Sequence, residues 1–485
     1  MLIFFITLFV SLYLLTSHFL NKIKNLPSSP FPSLPIIGNF YLLTKKPLHR
    51  ALAKIANHHG PILLLKLGSR NVLLVSSPSA LEECFTKNDI TFANRPNVLG
   101  GKYFGYNSTD VAWAPYGNHW RKLRKIWSLE LLSASRLQTL SFIRMEEVRF
   151  LVRRLLDNEN NKPLEIRSGF FELSLNVVMR MIGGERYYGE NLIKIADEII
   201  HLGAEANILD YFPILRRVGF GRLEKRMAAL QEKRERFMRG LVGEHRERMC
   251  SDDYYLLEER KKPMIEVLLS LQESEPEDYK DETIGGLMLI MFAVAPWTSA
   301  MIMEWAMSLL QNNPDILKKA QTGIDNQVGN DHLIDESDLA KLPYLRYIIN
   351  ETMGIVDQRG PLLLAHESSK ECMVGGFHIP RGTMLVVNMW ATQNDPKIWE
   401  DPKKFKPERF EGIEGSREGF KFMPFRAMQM IGLTFGTIFQ CFQWERINEK
   451  LADMTEGDRL ILQKAQPLQA KCRPRPMMFN FLSQI

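Results

Sequence analysis

Trp120 and Arg124 form the first pattern in this chain that could do chemistry. They lie four residues apart in a basic segment that begins at Tyr116 and is predicted to be a helix, so they share one helix face. An indole N–H beside a guanidinium suits an anionic group such as a carboxylate. Surface pairs of a cation and an aromatic ring have the same spacing and are commoner, so anion binding is one of two interpretations.

A second feature is a long apolar segment, Asp281 to Asn313. The acidic residues at its start favour a helix N-terminus, and a proline follows its end. About thirty residues, each with a rise of about 1.5 Å, would span about 45 Å. Apolar residues occur on every side, so the segment is predicted to be a helix that crosses the core. Pro296 lies inside it, where a proline costs about 3 kcal/mol.

The five cysteines are scattered along the chain and show no C-x-x-C spacing. This pattern favours a reducing compartment and argues against a disulfide framework or a zinc site, so we predict no metal centre of that kind. The net charge of +6 is small for 485 residues, and the basic blocks alternate with acidic residues, as on a solvated helix face. The charge pattern therefore gives no reason to expect a nucleic-acid partner.

Composition divides the chain into three parts. Residues 1–20 are apolar and long enough to span a membrane, and Lys22 and Lys24 follow, so they are predicted to be an anchor with the remaining chain in the cytoplasm. A cleaved signal peptide is the alternative, but the sequence has neither its basic start nor its small-residue cleavage site. Residues 21–40 are rich in proline and predict a semi-rigid hinge. Residues 41–485 show no repeat or long linker and are predicted to form one large domain.

Shorter patterns predict local structure in the N-terminal half. Two branched-aliphatic runs between Pro61 and Ser77 are separated by a glycine-containing break, which is typical of a β-hairpin. A helix is predicted to start at Pro78. From Arg95 to Asn118 the chain is rich in Gly, Asn, Tyr and Pro, which predicts a long loop, and loops of that length are often functional.

The C-terminal half carries motifs that are specific as a set. Asn394-Asp395-Pro396 is followed by Trp399 and by a Pro-Glu-Arg-Phe box at residues 407–410, and a long apolar run then extends from residue 427 to residue 445. Together with the segment YLRYIINETMG, this layout resembles the cytochromes P-450, the haem-thiolate monooxygenases, over essentially the whole chain. The C-terminal half is most similar to the plant microsomal branch that includes isoflavone hydroxylases.

The resemblance implies a mainly α fold with small β-sheets (α+β), the cytochrome P-450 fold, with an N-terminal membrane helix. It implies haem as the cofactor and NADPH-cytochrome P-450 reductase as the partner. It also implies a single-pass protein of the endoplasmic reticulum membrane with a cytosolic catalytic domain. The expected reaction is the NADPH- and oxygen-dependent hydroxylation of a small apolar or phenolic plant metabolite, an isoflavonoid being one option.

The resemblance also assigns cofactor contacts to individual residues. Trp120 and Arg124 match the helix whose side chains bind one haem propionate. His366 matches a contact to the second propionate, although a solvent-facing strand histidine is an equally good interpretation. Phe425 matches the phenylalanine that opens the cofactor loop.

Other matched residues have catalytic or structural roles in the family. Thr298 matches the threonine that relays protons to bound oxygen, and it is the provisional catalytic residue. Glu351, Glu408 and Arg409 match the E-x-x-R and P-E-R-F motifs, which supply a buried ionic group beneath the cofactor.

Three positions depart from the family pattern. The loop with the haem-ligating cysteine is absent, because Phe425 runs directly into Arg426. Gly354 stands where the arginine of the E-x-x-R motif belongs. Trp297 replaces the acid of the oxygen-binding helix and is bulky enough to intrude on a pocket. Cys441 is one alternative ligand, but a cysteine well inside an apolar helix is far more typical of a core.

These patterns leave three hypotheses for the function. The first is an active monooxygenase. The second, which the three departures favour, is a haem-deficient and inactive relative, either a decayed paralogue or a gene model with a wrongly joined exon. The third is a membrane-anchored protein that binds ligands without catalysis. The sequence therefore predicts that haem is not bound through a cysteine thiolate.

Overall fold

The computed structural model describes residues 1–158, 162–186, 190–204, 208–218, 221–251, 262–356, 362, 364–412, 428–457 and 462–484. The α-helices within these residues are α1 (Leu2–Ile23), α2 (Leu48–His59), α3 (Pro78–Phe85), α4 (Leu99–Phe104), α5 (Asn118–Ile126), α6 (Ala134–Thr139), α7 (Ser141–Leu156), α8 (Ile166–Gly183), α9 (Glu190–Ala204), α10 (Ile208–Tyr211), α11 (Arg222–Met249), α12 (Met264–Ser274), α13 (Asp281–Asn312), α14 (Pro314–Gln327), α15 (Pro343–Val356), α16 (Met389–Gln393), α17 (Met428–Cys441) and α18 (Phe479–Leu482).

The strands are short and form three small sheets. They are β1 (Ile62–Leu67), β2 (Arg70–Val75), β3 (Leu164–Glu165), β4 (His366–Glu367), β5 (Cys372–Val374), β6 (Phe377–Ile379), β7 (Met384–Val387), β8 (Phe442–Arg446) and β9 (Gln469–Pro474). The sheet orders are β1-β2-β7-β4, β3-β9-β8 and β5-β6, and β2 pairs with β7 in parallel. The prediction of a mainly α fold with small β-sheets is confirmed.

The local predictions for the N-terminal half are confirmed except in the long loop. β1 and β2 form the expected antiparallel hairpin. α3 begins at Pro78, and the Ser77 hydroxyl caps it by accepting the N–H of Ala80 at 3.4 Å. The prediction of one continuous loop from Arg95 to Asn118 is wrong, because α4 lies within it. The local composition does not favour that helix, but Leu99 and Phe104 bury their side chains in the main core.

The predicted central helix is confirmed as α13, which continues without a break past Pro296. It packs against α8, α11 and α15, and the main hydrophobic core surrounds it. Among the residues that the structure describes, α13 is also the one helix that is long and apolar enough to cross a membrane, with a hydropathy of 1.8 over its most apolar window. Most of that window is buried inside the protein, as expected of a core helix.

The N-terminal helix α1 has a different environment. Its described side chains are largely exposed and include several large apolar ones, namely Phe4, Phe5, Leu8, Phe9, Leu12, Leu15, Phe19 and Leu20. After α1, part of the proline-rich segment lies against β1. The carbonyl of Ser28 accepts the N–H of Leu64 at 3.0 Å, and the buried Asn39 side chain accepts the N–H of Lys66 at 3.0 Å. Residues 28–39 are therefore attached to the folded body, and a hinge between them and α1 stays a prediction.

Candidate functional site

The middle of α13 exposes one short face inside an otherwise buried helix. Val294 is 45% exposed, whereas Phe292 and Ala300 on the same helix are 1% and 0% exposed. Ala295 and Thr298 are half-buried. Val294 and Thr298 are four residues apart and therefore share a helix face. This face, formed by Val294, Ala295 and Thr298, is the most exposed part of the middle of the central helix.

The Thr298 hydroxyl on this face is bonded to its own helix. It donates to the carbonyl oxygens of Val294 at 3.0 Å and Ala295 at 3.2 Å. Such back-bonding is usual for threonine in helices and leaves the oxygen lone pairs able to accept a hydrogen bond. Pro296 has no N–H, so it cannot donate to the carbonyl of Phe292 one turn earlier. The geometry is compatible with hydroxyl chemistry at this face, and the proton relay stays a prediction.

Trp297 lies in the core. It is 9% exposed, and its ring centroid is 4.2 Å from that of Phe171 on α8. The ring therefore packs between α8 and α13, and an effect of its bulk on a pocket stays a prediction. The position still has no carboxylate, so this turn of the helix lacks the acid that the family pattern places there.

Trp120 and Arg124 are brought together on α5. The guanidinium carbon of Arg124 lies 5.9 Å from the centre of the Trp120 ring, at the outer limit for a cation–π contact. The Trp120 indole N–H donates to the carbonyl of Val111 at 3.0 Å. Arg124 is exposed and Trp120 half-buried. The guanidinium is thus open to an anion, whereas the indole would have to exchange its present acceptor to bind one.

Arg95 is a candidate that the sequence reasoning missed. Its Nε donates to the carbonyl of Ala112 at 3.0 Å, one residue from the acceptor of Trp120. Its Nη1 donates to the carbonyls of Leu364 and Ala365 at 2.9 and 3.1 Å, just before His366. Arg95 therefore joins the two segments that the sequence singled out separately. An arginine next to a proline in a glycine-rich loop carries no periodic signal, so only the fold identifies it.

His366 lies on β4 beside Arg95 and is half-buried. Burial, and then the positive charge of Arg95, lower its pKa from 6.5 to about 4, so the ring is neutral near pH 7. Its Nδ1 lies 2.6 Å from the carbonyl oxygen of Phe92 and must donate to it. The other ring nitrogen, Nε2, is then an acceptor. A neutral ring in this tautomer cannot donate to a carboxylate, so a propionate contact would require His366 to gain a proton.

Glu351 on α15 and Arg409 in the P-E-R-F box form an ion pair that is largely shielded from solvent. Arg409 Nε lies 2.8 Å from Glu351 Oε2, and the backbone N–H of Lys406 donates to Oε1 at 2.8 Å. Burial raises the pKa of Glu351 to about 7 despite this pair. Arg409 also donates to the carbonyls of Glu400, Asp401 and Lys404. The pair therefore ties α15 to the segment that precedes the P-E-R-F box.

The remaining predicted structural residue, Glu408, lies outside this pair. Its carboxylate accepts from Lys319 at 2.8 Å and from the Tyr344 hydroxyl at 2.7 Å, and its side chain is 46% exposed. Gly354 lies one turn after Glu351 on α15, and a Cβ added there would meet no atom within 4 Å. Glu351 thus has one arginine partner, with open space where the family motif would supply another.

Comparisons with known proteins agree with this arrangement. A family model described as Cytochrome P450 matches residues 27–472. The chain is 42% identical to cytochrome P450 81Q32 of Catharanthus roseus over 95% of this chain and 94% of that protein. It is 41% identical to isoflavone 2'-hydroxylase of Glycyrrhiza echinata, over 96% of this chain and 95% of that protein. The chain therefore belongs to the cytochrome P450 family.

Solved structures support the same fold. A zebra fish cytochrome P450 determined with progesterone superimposes with a TM-score of 0.76 at 22% sequence identity, over 89% of this chain and all of that chain (100%). At this identity the likeness concerns the fold alone. The sequence predicted membership of this family and a similarity to plant isoflavone hydroxylases. Both predictions are confirmed.

The family's cofactor is haem, and the described residues fit only part of what it needs. Arg95, Arg124 and the accessible face of α13 suit propionates and an apolar ring. The thiol ligand does not fit, because Cys84, Cys441 and Cys472 are 0%, 0% and 5% exposed and are packed inside hydrophobic cores, where none of them is open to a cofactor.

The other two cysteines are also poorly suited. Burial raises the pKa of Cys372, which lies on β5, and Cys250 is exposed just after α11. The described part of the chain also contains no cluster of three His, Cys, Asp or Glu residues that could hold a metal ion. Phe425 lies outside the described residues.

Proposed function

We propose that this chain derives from NADPH- and oxygen-dependent monooxygenases that hydroxylate a small apolar or phenolic plant metabolite, and that as written it does not hold haem through a thiolate. The supporting observation is the direct join of Phe425 to Arg426. The burial of Cys84, Cys441 and Cys472 inside hydrophobic cores supports the same conclusion. Without the thiolate that promotes oxygen–oxygen bond cleavage in this family, the monooxygenase reaction is not expected.

The relatives suggest the ligand class of the ancestor. Isoflavone 2'-hydroxylase of Glycyrrhiza echinata and isoflavone 3'-hydroxylase of Medicago truncatula align with this chain at 41% and 40% identity. We therefore propose an isoflavonoid or a similar phenolic molecule as the ligand. The accessible face of Val294, Ala295 and Thr298 supports a site for such a molecule on α13.

The cellular context is part of the same proposal. α1 carries large exposed apolar side chains and is followed by Lys22 and Lys24, which supports an anchor in the endoplasmic reticulum membrane with a cytosolic domain. Residues 1–20 would be the anchor, part of residues 21–40 the hinge, and residues 41–485 the single domain. NADPH-cytochrome P-450 reductase would be the partner of an active form.

The decisive test is the spectrum of the reduced, carbon-monoxide-treated protein after expression of the full chain with haem supplied. Isoflavone 2'-hydroxylase of Glycyrrhiza echinata, expressed in parallel, is the positive control. We expect the thiolate Soret band in the control and none in this chain. A normal thiolate band in this chain would show the proposal to be wrong.

Sequencing the transcript across the codons for Phe425 and Arg426 distinguishes the two explanations for the missing cysteine loop, a genuine deletion and a wrongly joined exon. A continuous reading frame identical to the chain supports a genuine deletion. Recovery of an inserted segment with glycine and cysteine would restore the active-enzyme hypothesis. It would not explain Gly354 or Trp297, which lie far from that join.

Ligand binding without catalysis is the second candidate function. It is favoured by the exposure of Val294 in the middle of a core helix, because an apolar face of this kind is stabilised by an apolar ligand. Saturable binding of a hydrophobic ligand to haem-free protein would support it. Binding that never saturates would indicate only partitioning into detergent and would count against it.

A further inference from the structure

Two of the five cysteines, Cys84 and Cys372, lie on neighbouring elements although they are far apart in the chain. Cys84 is in the last turn of α3 and is 0% exposed, whereas Cys372 is the first residue of β5 and is half-buried. α3 and β5 have residues whose Cα atoms lie within 8 Å of each other. Cys84 is buried in a small hydrophobic core, and Cys372 packs against the same core. The fold therefore places both thiols in one packed cluster.

Two hydrogen bonds fix the position of α3 on β5 at the level of this pair. The carboxylate of Glu83 accepts the backbone N–H of Gly375 at 2.7 Å. The side-chain amide of Asn88 donates to the carbonyl of Met373 at 2.9 Å. One bond therefore starts just before Cys84 and the other starts one turn after it, and both end within three residues of the second cysteine. A disulfide requires Cα atoms about 4.4–6.8 Å apart, and a helix packed directly on a strand can reach that range.

The two thiols differ in access, and both are held in the protonated form. Burial raises the pKa of Cys84 to about 12, and the charges of Cys372 and then of Glu83 add to the rise. Burial, and then the charge of Glu83, raise the pKa of Cys372, whereas Lys370 opposes the rise. Because the thiolate is the nucleophile, both groups react slowly near pH 7 and faster as the pH rises. The half-buried Cys372 is the thiol that a small oxidant reaches first, and Cys84 waits behind it.

We propose that Cys84 and Cys372 form a thiol–disulfide exchange site whose oxidant is a small-molecule disulfide such as oxidised glutathione. The Cys372 thiolate attacks one sulfur of the oxidant, forms a mixed disulfide and displaces one glutathione thiolate, which takes up the proton that Cys372 lost. The Cys84 thiolate then attacks the Cys372 sulfur, and the second glutathione leaves and takes up the proton from Cys84. Two protein thiols are oxidised to one disulfide, and the oxidant is reduced to two thiols.

The disulfide would join α3 directly to the β5–β6 sheet. A cross-link that closes a long loop stabilises a protein mainly by restricting the unfolded chain. The oxidised protein should therefore melt about 2–5 °C above the reduced protein, and dithiothreitol should reverse the shift. Phe85, the residue after Cys84, contacts His366 with ring centroids 5.1 Å apart. The bridge would thus hold in place the helix that packs on His366. The inference does not depend on whether haem or any other ligand is bound.

Peptide mapping without reduction tests the site directly. The reduced full chain in detergent is incubated with oxidised glutathione at pH 8, its remaining thiols are blocked with N-ethylmaleimide in urea, and it is digested with trypsin. Cys84 lies in the tryptic peptide of residues 71–87 and Cys372 in that of residues 371–381. We expect mass spectrometry to find these two peptides joined, with an initial rate that rises about tenfold for each pH unit. Glutathione that stays on Cys372 without a cross-link, or an unmodified Cys372, would overturn the proposal.

Glu83→Gln tests the environment assigned to the two thiols. Glutamine keeps a side-chain oxygen for the N–H of Gly375 but removes the negative charge that raises both thiol pKa values. The cross-link should therefore form about three to ten times faster than in the wild type. Glu82→Gln is the matched control, because Glu82 is the exposed neighbour on the same helix, and it should leave the rate unchanged. Equal rates in the two variants would contradict the placement of both thiols beside Glu83.

Cys84→Ala separates the two steps of the exchange. Without the resolving thiol, the mixed disulfide with glutathione should accumulate on Cys372, and circular dichroism checks that the variant is folded. If Cys84→Ala does not fold, the wild-type map and Glu83→Gln still decide. Cys250 is the exposed cysteine after α11 and serves as the internal control, since it should carry glutathione without forming a cross-link. Pairing of Cys372 with Cys250, or with a cysteine of another chain, would refute the site.

Discussion

Two regions of this protein match the family pattern to different extents: the Arg95 region, which also contains Trp120 and His366, and the α15 region, which contains Glu351 and Gly354. At the first, Arg95, Trp120 and His366 remain connected through the backbone segments they bond. At the second, Glu351 and Arg409 remain paired, but the second arginine of the motif is replaced by Gly354. The cysteine loop that would follow is also missing from the sequence. The difference is that contacts between distant segments match the family pattern in both regions, whereas the departures concern the second arginine of the motif and the cysteine loop.

The largest expected effect comes from breaking the pair in the α15 region. Arg409→Met should lower the free energy of unfolding at pH 8 by about 3–5 kcal/mol, because it removes three hydrogen bonds to backbone carbonyls and the charge partner of the Glu351 carboxylate, which is mostly ionised at that pH. Urea unfolding of the full chain measures the change. Arg473→Met is the control, since the exposed Arg473–Glu445 pair should contribute about 0–1 kcal/mol. Equal losses in the two variants would mean that the buried pair has no special role.

The Arg95 region should be destabilised when Arg95 itself is replaced. Arg95→Met removes three hydrogen bonds to backbone carbonyls and should cost about 2–4 kcal/mol of unfolding free energy. Arg121→Met, on the exposed side of α5, serves as the control. The same urea experiment checks both. If Arg95→Met lowers the free energy of unfolding by less than Arg121→Met does, water replaces the Arg95 guanidinium without an energetic cost.

The two regions should respond to pH in opposite directions. Burial raises the pKa of Glu351 from 4.5 to about 7, so its contribution is present below pH 4.5 and is lost as pH rises through 7. Burial lowers the pKa of His366 from 6.5 to about 4, so its contribution is present above pH 6.5 and is lost as pH falls towards 4. Each shift is worth about 3 kcal/mol across its window.

Unfolding free energies measured between pH 4.5 and 6.5 test this contrast. Glu351→Gln should make stability rise more steeply with pH than in the wild type, whereas His366→Asn should make it rise less steeply. Slopes that change in the same direction in both variants would contradict the opposite environments inferred for the two groups.

The smallest expected effect is an increase in stability, which the substitution of Gly354 should produce. Gly354→Arg should raise the free energy of unfolding at pH 7 by about 1–2 kcal/mol, because residues three apart on a helix are neighbours and the space around Gly354 is open. Gly354→Ala measures the stabilisation that comes from helix propensity alone, which is up to about 1 kcal/mol. The difference between the arginine and alanine variants is then the contribution of the ion pair. No advantage of arginine over alanine would show that the second cation cannot reach Glu351.

The sequence predicted the fold class, the β1–β2 hairpin, the start of α3 and the central helix, because these depend on local patterns of apolar residues and on capping. Its motifs also predicted, through the family resemblance, that Glu351 and Arg409 belong to one buried ionic group. It did not predict α4, since that helix is stabilised by burying Leu99 and Phe104 rather than by its own propensity.

The sequence by itself determined the family of this chain and the absence of the cysteine loop, since both are properties of residue order. Only the tertiary structure decided that Trp297 packs against Phe171, that Arg95 links Trp120's loop to His366, and that Glu408 lies outside the buried pair. These features depend on burial and on contacts between distant segments, which determine the charge, tautomer and hydrogen-bond partners of a side chain.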